Sequence, residues 1–305
     1  MLTKQPKITL LCLIVILLLL AGCKGKPADS RPLIITSIYP YQLLIQDLVG
    51  DSVRVQSIIP ANASPHTFSA KPADLRSLDE AKLLVMNGLD LEGELGKAFL
   101  QRKDKLVDVS SIIDLPVVDN QEPTSDLEHH HGGHDPHLWL SPQFLIKITI
   151  QMGDRLQTAF PHLAQTIGAN TASLVASLAG LHQQISSERS QYSNPALITY
   201  HDSFHWFARD YDIEVLGTVQ SSPGTEPTPK QLTQLGDSIR ANKIKAIFVE
   251  PQMDRKSAKV LAAEFGLQIL ELDPLGDSIK AQHISDLLWT NWQRMKQGWD
   301  AAVNP

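Results

Sequence analysis

The sequence predicts an α/β protein of two lobes, each a four-stranded, mainly parallel sheet with flanking helices, bridged by one long backbone helix. Three observations carry that expectation. Short β-branched runs alternate with helical patterns over most of the chain, the signature of a parallel sheet covered by helices on both faces. The runs fall into two sets, over residues 33–109 and 197–272, separated by a stretch at 143–190 that reads as helix. The length of 305 residues also suits about two domains at roughly 150 residues each.

Residues 1–22 stand apart. They carry Lys4 and Lys7, no acid, and an apolar run from 8 to 20, matching the basic start and roughly 7–15-residue apolar core of a secretory signal peptide. A spanning helix needs about 20 apolar residues, so a removable address is expected in place of a permanent span. Leu20-Ala21-Gly22-Cys23 resembles a bacterial lipobox, with cleavage before Cys23 and a lipid on its thiol; a plain signal peptide is the alternative. Residues 23–32 are polar and contain Gly25, Pro27 and Pro32, which reads as a lipidated tether.

The N-terminal lobe is expected over 33–142. Strands at 33–38 and 53–59 are each closed by a proline, Pro40 and Pro60. Between them a helix at 41–49 places Leu44, Ile45 and Leu48 at helical spacing and stops at Gly50. A helix at 72–81, a strand at 82–86 ended by Asn87-Gly88, a helix at 89–100 and a strand at 106–109 follow. A surface loop at 126–135 then breaks the pattern, poor in apolar residues and carrying His129, His130, His131 and His134.

The linking segment, 143–190, contains a helix at 146–160, an interruption at Pro161 and a second helix at 163–188 with Leu174, Leu178, Leu181 and Ile185 on one stripe. Standing between two βα blocks, it reads as a connector; one more packed helix is the alternative. The C-terminal lobe, 195–305, is expected to hold strands at 197–200, 213–219, 246–249 and 268–272. Its helix at 229–241 has a strong start signal, with Thr228 as N-cap, Pro229 at the first position and Gln231 at the third.

Composition removes several functions. Beyond residue 22 the chain carries 25 basic and 33 acidic residues, a net charge of −8, and so lacks the basic footprint of a nucleic-acid binder. Cys12 lies in the leader and Cys23 in the lipobox, and there is no third cysteine. Disulfides, cysteine zinc sites and cysteine nucleophiles are therefore excluded. Any metal must be held by histidine and carboxylate.

Ligands of open parallel sheets gather beyond the carboxyl ends of the strands. There the second strand leads to Pro65-His66-Thr67, the fourth and its loop to Asp135-Pro136-His137, the fifth to Tyr200-His201-Asp202 and the eighth to Leu272-Asp273-Pro274. Three imidazoles and a carboxylate, two from each lobe, suit a four-coordinate, borderline-soft ion, and Zn2+ is the natural candidate. Glu250 follows the seventh strand and is either an acceptor that fixes a histidine tautomer or a helix-start carboxylate. His205, one turn past His201, reads as packing or as outer support for the site. His162, His182 and His283 lie within helical patterns and read as packing, as does Tyr39 at the strand edge.

The stretches SIYPYQLLIQDLVGD, IIPANASPHTFSAKPADLRSLDEAKLLVMNGLDLE, DPHLWLSP, YHDSFHWFARDYDIEVLG, SSPGTEPTPKQL, FVEPQ and LDPLG resemble the metal-binding lipoproteins of ABC transporters that import zinc or manganese. The likeness runs from about residue 33 to 300, with the motifs in order. It implies a two-lobed fold bridged by a rigid helix, with a metal held between the lobes and handed to a membrane permease served by a cytoplasmic ATPase. It also implies ligand roles for His66, His137, His201 and Asp273, one motif at a time. Histidine at 201, with the His-rich loop, resembles the zinc group; manganese-type members tend to carry Glu there, and Mn2+ is the alternative ion. The loop is short, and the paired cysteines of some zinc-type members are absent. Capture of metal by His129, His130, His131 and His134 at low affinity is the functional reading of the loop; a solvated segment that binds metals incidentally is the other.

The resulting expectation is an extracytoplasmic, lipid-anchored, monomeric binding protein and no enzyme. Two rivals are a zinc hydrolase, in which Asp273 would be the base, and an adhesin-like lipoprotein. Against the hydrolase, the sequence has no HExxH motif.

Overall fold

The computed structural model describes residues 29–115, 134–220 and 224–300. The leader, Cys23, His129, His130 and His131 lie outside the described residues. Residues 1–31 and 32–305 form separate units; of the first, only 29–31 are described, with Arg31 paired to Asp29 at 2.6 Å.

In the second unit, β1 (Leu33–Thr36), β2 (Arg54–Ser57), β3 (Leu83–Met86) and β4 (Leu106–Asp108) form one sheet in the order β2-β1-β3-β4. A second sheet contains β5 (Ala196–Thr199), β6 (Glu214–Thr218), β7 (Ala246–Val249) and β8 (Gln268–Glu271) in the equivalent order β6-β5-β7-β8. Every pairing in both is parallel. β1, β3 and β7 are buried at each position, which is why their sequences run apolar without alternation. In each sheet the crossovers change direction beside the first strand, and this opens a crevice between β1 and β3 and between β5 and β7. The expected α/β architecture of two four-stranded sheets is borne out.

The helices are α1 (Tyr39–Val49), α2 (Pro72–Glu80), α3 (Gly93–Leu100), α4 (Pro142–Ala159), α5 (Ala164–Arg189), α6 (His205–Asp210), α7 (Pro229–Asn242), α8 (Lys256–Phe265) and α9 (Ile284–Asp300). The capping box of α7 forms as expected: Thr228 Oγ1 accepts from Gln231 N at 3.3 Å, and Gln231 Oε1 accepts from Thr228 N at 2.8 Å. Two starts differ from expectation. α4 begins at Pro142 because Ser141 caps it, its Oγ accepting from Phe144 N at 3.0 Å. α3 begins at Gly93 because Leu89 and Asp90 turn into left-handed backbone (φ 55 and 60) that no helix can use. α6 and α8 have no counterpart in the sequence reading, which gives α9 no bounds beyond a helical pattern around His283.

α5 links the lobes. Its 26 residues span about 39 Å at about 1.5 Å per residue. Leu178 and Ile185 of the expected stripe are fully buried, with Leu174 and Leu181 packed beside them. α5 packs on α4 and α1, and α9 returns from the second sheet to pack on both α1 and α5. One buried cluster therefore runs from β1 and β3 through α1, α4 and α5 to Phe207, Leu288 and Trp292, while a smaller one fills the space under α7 and α8. Among the described residues no helix is long and apolar enough to cross a membrane.

The lobes also meet through an indole. Trp139 is fully buried, and its Nε1 donates to the Pro274 carbonyl of the other lobe at 2.7 Å. Trp139→Ala should destabilise the metal-free protein by about 3–5 kcal/mol, the usual result of deleting a buried aromatic side chain. Trp139→Phe keeps an aromatic ring against Tyr41 and His137 but strands the Pro274 oxygen, at about 1–3 kcal/mol. Urea denaturation of the two variants should rank them in that order; equal stability to the parent would refute the role.

Candidate metal centre

Each candidate ligand sits where a strand releases the chain. His66 lies in the loop after β2, a half-buried segment tightened by Ala63 N donating to Pro60 O at 2.9 Å. His137 precedes a single helical turn at Leu138–Leu140 and is buried. His201 follows β5 and is also buried. The three rings converge with centroids 5.1–5.3 Å apart. One ring nitrogen from each lies within 4.8 Å of the others, the only such group among the described residues. The Nε2 atoms of His66 and His137 are 3.3 Å apart. Two nitrogens bound to one zinc at about 2.0–2.1 Å with tetrahedral angles stand about 3.4 Å apart, so this spacing already fits an ion between them.

Carboxylates stand behind two of the rings. Asp135 Oδ1 lies 3.0 Å from His137 Nδ1 and accepts the His137 backbone N–H at 2.7 Å. Glu250 Oε1 lies 3.1 Å from His201 Nδ1 and accepts from Ser203 Oγ at 2.7 Å. A carboxylate at Nδ1 puts the ring proton there and leaves the Nε2 lone pair free for a metal. Glu250 is thus placed beside His201 Nδ1, where a tautomer-fixing acceptor would stand. Asp135 was not anticipated, although Asp-Pro-His places a carboxylate two residues ahead of the ring. Trp206 Nε1 holds the Asp135 carbonyl at 2.9 Å and fixes that turn.

The charges follow. Burial pushes the Asp135 carboxyl up, but the His137 ring, its N–H and the His205 ring outweigh it and hold the group below the usual carboxylate range. Burial pushes His201 down, yet the facing Glu250, with Asp135 and Asp202, raises its pKa above that of free imidazole. Glu250→Gln should weaken zinc binding roughly 10–100-fold, the usual loss when an outer partner of a ligating histidine is changed. Chelator competition measures it, and unaltered affinity would show that Glu250 does not orient the ring.

Asp273 is not brought into this group, contrary to the four-ligand expectation. The carboxylate is fully buried and takes five hydrogen bonds. Oδ1 accepts from Leu275 N at 3.0 Å, Gly276 N at 2.9 Å and Gln252 Nε2 at 3.1 Å; Oδ2 accepts from Ser278 N at 2.7 Å and Ser278 Oγ at 2.9 Å. Gly276 permits this turn through its φ of 89°. Asn291 of α9 clamps the Asp273 backbone from the other side, accepting from its N–H and donating to its carbonyl, both at 2.8 Å. His205 is half exposed, with Nδ1 4.0 Å from Asp202 Oδ2 and its ring against Trp206. The Nδ1 atom of His134 is buried and makes no hydrogen bond.

A cavity of about 10 Å³ beside the His66 and His137 rings is also lined by Ser64, Pro65, Trp139, Glu250, Gln252 and Pro274 among others. That is room for about one water-sized guest.

Residues 34–298 match the family described as ZnuA, zinc-uptake complex component A, periplasmic. The chain belongs to the ZnuA family. Similar relatives include the zinc-binding lipoprotein AdcA of Streptococcus pneumoniae, 26% identical over 99% of this chain and 63% of that protein. Another is the high-affinity zinc uptake system protein ZnuA of Haemophilus ducreyi, 27% identical over 81% of this chain and 86% of that one. The chain thus spans less than two thirds of AdcA and most of the H. ducreyi protein. A crystal structure of ZnuA superimposes with a TM-score of 0.76 at 30% identity, covering 88% of this chain and 99% of that one.

Proposed function

We propose that this ZnuA-family chain captures Zn2+ outside the cytoplasm and passes it to an ABC importer, its permease and ATPase. The observation that carries the reading is the trio of His66, His137 and His201, with two Nε2 atoms 3.3 Å apart. An all-imidazole set suits zinc better than manganese, which favours oxygen donors. The names of the relatives point the same way. Cys23 would anchor the protein by a lipid on the outer face of a membrane, in reach of the permease.

Binding, and not catalysis, is supported by the size of the cavity. A hydrolytic zinc needs an open position, a base and room for substrate. Here the space of about 10 Å³ admits an ion or a water and no acyl or phosphoryl group. Glu250, the carboxylate on the cavity wall, is engaged by His201 and Ser203.

Elemental analysis of protein purified without chelator should give one tightly held zinc per chain, retained against an excess of Mn2+. Protein that loads Mn2+ in preference would refute the zinc assignment.

A further inference from the structure

Gln252 bridges the two lobes at the metal cavity. Its Nε2 donates both to the Ala61 carbonyl, in the loop that carries His66, at 2.8 Å and to Asp273 Oδ1 at 3.1 Å. Both partners are acceptors, so the amide cannot be turned round without setting oxygen against oxygen. Its Oε1 is buried and makes no hydrogen bond within the protein. Gln252 lines the cavity, whereas Asp273 is not among the lining residues. The amide therefore joins the carboxylate to the wall of the cavity that His66 and His137 also line.

We infer that Gln252 is a specificity-determining residue: it holds the Asp273 carboxylate out of the metal's coordination sphere and so keeps the site a three-imidazole site. The inference rests on the zinc-binding reading above and adds what sets the ion preference within it. The other four donors to Asp273 come from its own turn, at Leu275, Gly276 and Ser278. They hold both carboxylate oxygens within that turn, and Leu275 lines the cavity too; Gln252 is the donor from outside the turn, tied through Ala61 to the loop of His66. Its unpaired Oε1 is a ready acceptor for a solvent ligand that completes a four-coordinate ion. Were the carboxylate to enter, an anionic oxygen would replace neutral solvent beside the three nitrogens, and harder ions would compete better.

The test uses the full soluble chain and two metals. Removing a hydrogen bond to a charged group typically changes an equilibrium by about tenfold or more, so Gln252→Ala should raise Mn2+ affinity relative to Zn2+ by about that factor. The Co2+-loaded parent should show d–d absorption that changes with pH as its solvent ligand ionises, and Gln252→Ala should lose that change once a carboxylate replaces the solvent. Asp273→Asn supplies the control. In that background Gln252→Ala should leave the Zn2+ to Mn2+ ratio where it was, which separates an effect through the carboxylate from loosening of the Ala61 contact. An unchanged ratio and spectrum in the single variant, or an equal change in the Asp273→Asn background, overturns the inference. A parent that binds no zinc overturns the reading beneath it instead.

Discussion

His66→Ala abolishes tight zinc binding while the fold survives. The side chain is half-buried on a loop after an edge strand, and no helix or core cluster depends on it. Its loss leaves two imidazoles, one from each lobe, for an ion that wants four donors. The drop in affinity should exceed the roughly 10–100-fold that follows loss of an outer partner. Two measurements separate loss of binding from loss of structure. Denaturation of the metal-free variant should match the parent. Added zinc should stabilise only the parent, by about 4 kcal/mol at a free concentration near 1,000 times its dissociation constant. A variant still stabilised by zinc to that extent would remove His66 from the ligand set.

Acid weakens zinc binding, and the weakening begins above the pH at which free imidazole starts to protonate. A ligating nitrogen must be unprotonated, and the Glu250, Asp135 and Asp202 charges raise the pKa of His201 despite its burial. Protons therefore compete for this ring already above about pH 6.5, the value for free histidine. Below its pKa, each protonated imidazole lowers affinity by about tenfold per pH unit, so the fall steepens as the rings protonate together. Competition titrations between about pH 8 and pH 5 should show it, because that range spans the free-histidine value. Constant affinity across the range would contradict ligation by histidine. The metal-free protein should respond in the opposite sense. Its folded state holds the His201 proton more tightly than the unfolded chain does, so that contribution to stability is full below about pH 6.5 and fades as the pH rises through the raised folded value. Zinc thus reverses the sign of this histidine's contribution to the pH dependence of stability.

The strand ends are legible because β-branched runs and closing prolines mark them, and they place three histidines at one edge. The supports behind those histidines were less so. Glu250 was visible as a carboxylate after a strand, but its pairing with His201 needs β5 and β7 to be neighbours. Asp135 was within reach of local reasoning, since a carboxylate two residues before His137 can cap that residue's N–H. The state of Asp273 was not. The sequence places it at the right edge; only the fold shows Gln252, Leu275, Gly276 and Ser278 all directed at it. Gln252 bonds Ala61 across 191 residues, a separation over which spacing says nothing. α9 buries Leu287, Leu288, Trp292 and Met295 at helical spacing, a stripe of which the sequence reading carries only the helical pattern around His283. α6 is six residues long, too short for periodicity to register.

The cross-lobe bonds of Trp139 and Gln252 have a kinetic consequence. They cross the wall of a cavity that holds about one small guest, so a bound ion has little room in which to exchange its ligands singly. Its dwell time is then set by how often that wall parts, and a permease that pulls Pro274 or Ala61 away from its partner would act on the clock of release directly, without competing for the ion.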